Sequence, residues 1–187
     1  MPDSLLLSRA ANDHADMEVI IRLIQEAADW LRTQDTDQWA RPWPNRAGRD
    51  RFIKTAIRQG KTWICWDNET PAATLTADPD TDPYWPPEDR AESAVYVHRL
   101  VVSRKYAGTG LGAALLNWAG ATARHEHGVQ WLRLSAWTTN QRLHTYYRNQ
   151  GFCLCRLRQG DSYPSAAFFQ KPTDHIPPDS ATVFQRV

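Results

Sequence analysis

Ala94-Val95-Tyr96-Val97-His98-Arg99-Leu100-Val101-Val102, followed after residues 103–106 by Ala107-Gly108-Thr109-Gly110-Leu111-Gly112, decide how this chain is read. The first run is rich in β-branched and aromatic residues, as a buried or half-buried strand requires. The second leads straight into Leu111, Leu115, Trp118, Ala119 and Thr122, apolar or half-apolar positions at helical spacing. Glycines permit positive φ and close ligand approach, and a helix start offers unpaired N–H groups at the positive end of its dipole. The combination suits a pyrophosphate, although a tight strand-to-helix connection that binds nothing would use the same glycines. Two other nucleotide patterns fit poorly. A P-loop needs Lys-Ser/Thr after its last glycine, where this chain has Ala113-Ala114. The dinucleotide fingerprint needs G-x-G-x-x-G near the start of a βαβ domain, whereas this motif is G-x-G-x-G and lies past mid-chain.

Downstream, Gln130-Trp131-Leu132-Arg133-Leu134-Ser135-Ala136-Trp137 reads as a second strand, and Asn140-Gln141-Arg142-Leu143-His144-Thr145-Tyr146-Tyr147-Arg148-Asn149-Gln150-Gly151-Phe152 as a helix with its exit. With these residues in place the chain resembles the GCN5-related N-acetyltransferase (GNAT) family. That family's turn reads Gln/Arg-x-x-Gly-x-Gly/Ala, and its later helix reads Asn-x-x-Ala-x-x-x-Tyr-x-x-x-Gly-Phe. Gly110 and Gly112 match the first pattern; Asn140, Tyr147, Gly151 and Phe152 match the second, with Leu143 in place of the small residue. The resemblance follows the order of elements over residues 5–172 and is motif-specific over residues 96–152.

The resemblance implies an α/β (α+β) fold, a mixed, mostly antiparallel central sheet of about six or seven strands flanked by about four helices. It also implies acetyl-CoA as co-substrate, with no metal. Leu100, Val101 and Val102 would pair with the pantetheine arm, and Gly108, Thr109, Gly110, Leu111 and Gly112 would present amides to the pyrophosphate. Asn140 and Tyr147 complete the expected cofactor set. Ala107 stands where the family has Gln or Arg, so backbone amides would do most of the anion binding, helped by Arg104 or Lys105.

For acyl transfer, Tyr147 occupies the family's general-acid position. Tyr146 lies about 100° around the helix and serves as a pocket wall or fallback. His98 is the candidate base because an imidazole titrates near neutrality. Strand alternation puts His98 on one face with Tyr96, Leu100 and Val102, and turns Arg99 to the other. The resemblance builds the acceptor pocket from the first two helices, their loop and loops near the base. Trp30, Trp39, Trp43, Tyr96 and Trp137 are the candidate wall, with Asp35, Asp37, Arg41 and Arg46 interleaved among the first three. The acidic stretch 78–93, with Asp78, Asp80, Asp82, Glu88, Asp89 and Glu92, is a surface loop expected to draw cationic substrates.

Composition bounds the rest. A chain of 187 residues, 42% of them apolar, can bury one good core. A net charge of +1 gives no support for a bulk nucleic-acid or membrane partner. No apolar run approaches the ~18 residues of a span, and the start lacks a leader pattern, so a cytoplasmic location is expected. The three cysteines, Cys65, Cys153 and Cys155, fall in expected strands and read as buried thiols. His125-Glu126-His127 fails the spacing of a zinc motif and reads as a solvated helix end.

Along the chain, a strand at 5–10 precedes a helix capped by Asn12 or Asp13 and running to about Arg32. A loop at 33–46 leads to a short helix with Phe52, Ile53, Ala56 and Ile57 on one side and Gly60 as its stop. A hairpin at 61–77 turns at Asp67-Asn68-Glu69. Residues 152–158 and 166–171 read as closing strands. Residues 1–172 are expected to form a single acyltransferase domain and 173–187 a peripheral tail. The expected function is acetyl transfer to a primary amine, foremost of a small molecule, in a ternary complex. Protein or peptide amines are a second substrate class, and a non-catalytic acyl-CoA-binding regulator is an alternative of a different kind. The tryptophan-rich edges would also suit a homodimer contact.

Overall fold

The computed structural model describes residues 5–11, 14–80, 82–160 and 162–186. Strand β1 (Leu5–Arg9) leads to α1 (His14–Leu31) and α2 (Arg46–Arg58), and the hairpin of β2 (Thr62–Asp67) and β3 (Thr70–Asp78) follows. Then come β4 (Ala94–Val102), α3 (Leu111–His127), β5 (Trp131–Ala136), α4 (Gln141–Asn149), β6 (Cys153–Leu157), β7 (Ala167–Pro172) and β8 (Gln185–Arg186). One sheet contains them in the order β6-β7-β5-β4-β3-β2-β1-β8. Pairing is antiparallel except between β4 and β5 and between β1 and β8.

Period-two alternation divides the strand side chains between two cores. Leu7, Cys65, Leu75, Val95, Leu134 and Phe169 pack on the face covered by α3. Ile64 and Val101 pack on the other face, against Ile20, Leu23 and Ile24 of α1 and Ile53 and Ile57 of α2. The expected α1 stripe is therefore the core face, with Ile20, Ile24, Ala28 and Leu31 all buried. Its expected caps, Asn12 and Asp13, lie outside the described residues. Helix α2 is capped by Asn45, whose Oδ1 accepts from the Gly48 N–H at 2.8 Å. Phe52 departs from the expected α2 core face: it is 44% exposed and stacks near Trp43, with ring centroids 6.4 Å apart.

The sheet is of the expected mixed, mostly antiparallel kind, and two other expectations need correction. The sheet has eight strands, because the chain end adds β8 in parallel beside β1, Leu6 opposite Gln185. The segment after residue 172 is not peripheral, since Thr173, Ile176 and Phe184 are buried and its 3₁₀ turn Pro178–Thr182 packs on α3. That contact helps to bury the middle of α3, where Gly120 is held between Ile176 of the chain end and Leu132 of β5. A Cβ on Gly120 would stand 2.3 Å from Ile176 Cδ1. Finally, only Cys65 is a buried thiol. Cys153 and Cys155 are exposed, because β6 is the edge strand and its pairing with β7 slips between Leu154 and Arg156.

Ile176→Ala should therefore behave as a core truncation, lowering stability by about 2–4 kcal/mol and the melting temperature by several degrees. Thermal unfolding indistinguishable from the parent chain would show that the chain end contributes nothing to the α3 core.

Candidate active site and cofactor cleft

Strands β4 and β5 pair in parallel from Ala94 opposite Trp131 to Val97 opposite Leu134. Past that point β4 runs on to Val102 with its β5-side edge unpaired among the described residues. On its other edge the register with β3 slips: Val101 faces Thr74 and His98 faces Thr76, leaving Arg99 and Leu100 opposite the single residue Leu75. Arg99 has φ +50, and the extra residue makes a β-bulge. Alternation restarts after it. Leu100 and Val102 pack on the α3 side, Val101 on the α1 side, and Arg99 shares the cavity side of His98. The expected face of Tyr96, His98, Leu100 and Val102 is thus broken at the bulge, and Arg99 does not point away from the site.

Beyond β4, the 3₁₀ turn Arg104–Tyr106 leads to Gly108 and Gly110, with φ +78 and +86. A Cβ at either glycine would meet nothing within 4 Å, so their requirement is backbone conformation alone. Gly112 is different: a Cβ there would lie 3.0 Å from the Tyr146 hydroxyl, so its smallness lets α4 approach the start of α3. No group of the described residues accepts from the amides of Gly108, Gly110, Leu111, Gly112 or Ala113; the first helical bond runs from the Ala114 N–H to the Gly110 carbonyl at 3.0 Å. Five free amides at the positive end of a 17-residue helix fit an anionic diphosphate.

These amides open into a cavity of about 550 Å³ lined by Leu100, Val101, Val102, Gly108, Gly110, Leu111, Gly112, Asn140 and Tyr147. Arg104 lines it too, its backbone N–H held by Glu26 Oε1 at 2.7 Å and its guanidinium 3.9 Å from the Trp30 ring centre. Two expected cofactor residues stand aside. Lys105 Nζ lies over the Tyr106 ring at 5.1 Å, and the Thr109 hydroxyl donates to the Tyr106 carbonyl at 2.8 Å. Asn140 caps α4 through Leu143 N–H at 3.0 Å and donates from Nδ2 to Gln38 Oε1 at 2.7 Å, tying α4 to the α1–α2 loop.

A second cavity, of about 650 Å³, is lined by His98 and Arg99 of β4, Trp137 after β5, and Trp39, Trp43 and Phe52 around α2. The two cavities share Gln38, Trp39, Leu100, Leu143 and Tyr147. Tyr147 packs its ring against Phe152 and Phe169, at 5.8 and 5.6 Å, and its hydroxyl has no partner among the described residues. Burial raises its pKa far above the ordinary phenol range, so it stays protonated. Tyr146 lines only the first cavity. Burial, helped by the neighbouring Arg99 charge, pulls His98 down to about 4, and the imidazole is neutral at physiological pH.

The expected acceptor wall is only partly assembled. Trp39, Trp43 and Trp137 line the second cavity. Trp43 Nε1 donates to the Ser162 carbonyl at 3.1 Å and its ring meets Tyr84 and Tyr163, while Trp137 Nε1 donates to Asp37 at 2.9 Å. Thr139 also donates to Asp37, and the two bonds hold that carboxyl below the usual range. Trp30 belongs instead to the first cavity, drawn there by Arg104. Tyr96 reaches neither cavity: it is buried with Trp85 and Phe168, its hydroxyl 3.4 Å from Arg133.

Nor does the acidic loop present a bare negative field. Asp78 and Asp80 pair with Lys61 at 2.7 and 2.6 Å, Glu88 with Arg156 at 2.7 Å, and Glu92 with Arg133 at 2.9 Å. Asp82 is 3% exposed, and burial raises its pKa. His144 is also buried, its Nε2 bonded to the Trp137 carbonyl at 2.9 Å, a structural partner that sequence did not supply. Among the described residues, no group of three or more His, Cys, Asp or Glu side chains could hold a metal ion, and no helix is long and apolar enough to cross a membrane.

A parallel strand pair that parts above a helix start with free amides defines an acyl-CoA-binding transferase fold. A model of the acetyltransferase (GNAT) family matches residues 22–152, well over half of the chain, and the chain belongs to that family. An uncharacterized N-acetyltransferase of Bacillus subtilis (strain 168), YesJ, is 33% identical over 142 residues, covering 74% of this chain and 77% of that one. A GNAT-family acetyltransferase of Listeria monocytogenes superposes with a TM-score of 0.71 at 21% identity, over 90% of this chain and 94% of the other. The PaiA N-acetyltransferase of Thermoplasma acidophilum, solved in complex with coenzyme A, gives 0.66 at 15% identity, over 90% and 99%. The chain is an acetyl-CoA-dependent acyltransferase.

The state of His98 has a measurable consequence. Folded His98 takes its proton near pH 4, against an ordinary value of 6.5, so between those values the unfolded chain binds more protons and acid favours unfolding. His98 therefore costs no stability above pH 6.5 and up to about 1.4 kcal/mol per pH unit below it. His98→Gln should flatten the fall of melting temperature between pH 6.5 and 4; an unchanged slope would mean that the imidazole is solvated.

Proposed function

We propose that this protein transfers the acetyl group of acetyl-CoA to the primary amine of a small molecule by direct attack in a ternary complex. The observation that carries the proposal is the meeting of the two cavities at Leu100, Leu143 and Tyr147. One cavity suits the thioester and the other the amine, with the reacting atoms at the junction, so no covalent enzyme intermediate is needed.

In this reading the free amides of Gly108 and residues 110–113 and the Arg104 guanidinium take the pyrophosphate, and the unpaired edge of β4 at Leu100 and Val101 holds the pantetheine arm and polarises the carbonyl. Tyr147, protonated at neutral pH like any phenol and more firmly so for its desolvation, hands its proton to the departing sulfur. The thiolate is a good leaving group and needs only mild acid help. His98, neutral at physiological pH, accepts the proton that the attacking nitrogen must lose, directly or through a water.

The small-molecule class is supported by the way the second cavity is roofed. The α1–α2 loop is tied down at Trp43 to Ser162, at Asp37 to Trp137, and at Gln38 to Asn140. A polypeptide acceptor needs an open groove between those segments.

Acetyl-CoA should raise the melting temperature of the parent chain by several degrees, ~2.7 kcal/mol at 100 times the dissociation constant. An amine screen by thiol release then supplies a substrate. Tyr147→Phe and His98→Ala should each keep the acetyl-CoA shift while lowering kcat roughly tenfold or more. Full turnover by both variants at saturating substrate would remove both from the chemistry.

A further inference from the structure

The β4 bulge turns Arg99 into the second cavity beside His98, and there the guanidinium has almost no partner. Its single hydrogen bond runs from Nη2 to the Thr76 hydroxyl at 3.1 Å, one of five N–H donors and to a neutral group. No carboxylate of the described residues lies within ion-pair distance of Arg99. Asp78, on the neighbouring strand, is engaged by Lys61 at 2.7 Å. Asp82, at the same cavity, has its Oδ1 taken by the Tyr84 N–H at 2.8 Å and its buried Oδ2 without a partner among the described residues, and burial raises its pKa. Tyr163, also at this cavity, has its phenol pushed far above the ordinary range and brings no charge. Burial lowers Arg99 only to about 10, so the guanidinium is charged at neutral pH.

Asp78 acts on Arg99 only beyond ion-pair distance; a partly buried cation with no carboxylate in contact is costly, and a planar guanidinium fork matches a carboxylate or phosphate edge. Besides Asp78 and Asp82, the charged residues of the cavity are arginines. Arg41 and Arg46 stand at its exposed rim with no carboxylate partner among the described residues, while Arg32 and Arg49 are paired with Asp29 and Asp50. Its wall is aromatic, from Trp39, Trp43, Phe52, Tyr84 and Tyr163.

From this juxtaposition we infer that the acceptor is an aminocarboxylate or aminophosphate with an apolar body, its anionic group held by Arg99 a few bonds from the amine that faces His98. The inference rests on the acceptor site proposed above and deepens it. Thr76, whose hydroxyl takes the Arg99 guanidinium, stands opposite His98 in the β3–β4 register, so amine and anion must be close in the ligand. The aromatic wall takes the apolar body, and a polyamine is repelled by Arg99.

The test uses matched probes with the full chain and CoA: L-tryptophan against tryptamine, L-phenylalanine against phenethylamine, phosphoethanolamine against ethanolamine, and spermidine. Thiol release from acetyl-CoA should favour the anion-bearing member of at least one pair by 100-fold or more in kcat/KM, with spermidine inert. The carboxylate and phosphate arms identify which anion is held. Arg99→Gln should erase that preference by raising KM, and Arg99→Lys should keep part of it; an unchanged acetyl-CoA thermal shift shows that both variants fold. Equal turnover of both members of each pair, or a preference that survives Arg99→Gln, overturns the inference. Calorimetric binding of the same probes to the CoA complex separates the two proposals. Anion-dependent binding lost in Arg99→Gln without turnover sustains the subsite and sinks the acetyl-transfer reading; no anion-dependent binding sinks the subsite alone.

Discussion

The structure turns on where a parallel strand pair stops. β4 and β5 are held together through Val97 and Leu134, and beyond that pair they have no strand pairing among the described residues. Each strand still feeds a helix, α3 after β4 and α4 after β5, so the helices inherit the divergence and leave a cleft between their ends. Because the gap opens through the sheet, it links its two faces. Leu100 and Tyr147 can therefore line a cavity on either side. On the opposite edge of β4, the bulge at Arg99 and Leu100 keeps the strand attached to β3 while resetting which side chains face which core.

The cofactor end of the cleft depends on backbone more than on side chains. Ala107 offers nothing to an anion, yet five amides remain free in the turn and first helical residues that follow. Free amides at a helix start are tolerated where water or an anion completes them. Two arrangements keep them available. Positive φ at Gly108 and Gly110 aims the loop, and the missing side chain at Gly112 admits Tyr146 without shifting α4. Arg104 adds a cation that is fixed twice over, by Glu26 on its backbone and Trp30 under its guanidinium. Between the two basic neighbours considered from sequence, only Arg104 faces the cleft.

Local regularity made much of this legible. β4, α3 and α4 follow from β-branched runs, glycine spacing and the Asn140 cap, all of which act within a few residues. The misreadings share a different origin. The alternation that paired His98 with Leu100 and Val102 assumed a regular strand, and no residue type announces that an arginine will adopt φ +50. The resemblance groups Trp30 and Tyr96 with the acceptor wall, but Arg104 holds the first and the second is buried with Trp85 and Phe168. The acidic loop seemed a field because Lys61, Arg133 and Arg156 pair with it from distant elements. The chain end lacks periodicity because it contributes single anchors, Ile176 and Phe184, rather than a face.

One physical condition, desolvation, sets the chemical state of the junction. Burial disfavours charge, and it moves the two proposed proton carriers in opposite directions: Tyr147 keeps its proton to high pH, and His98 stays neutral down to about pH 4. At neutral pH the donor is therefore loaded and the acceptor empty, with neither requiring a counter-ion in a confined space. Arg99 is the exception, since a guanidinium cannot escape its charge by titrating in this range. Its charge also helps to keep His98 neutral. An incoming anion would therefore act on both residues: in satisfying Arg99 it would weaken the repulsion that depresses His98, and so raise the basicity of the imidazole only when the acceptor is bound.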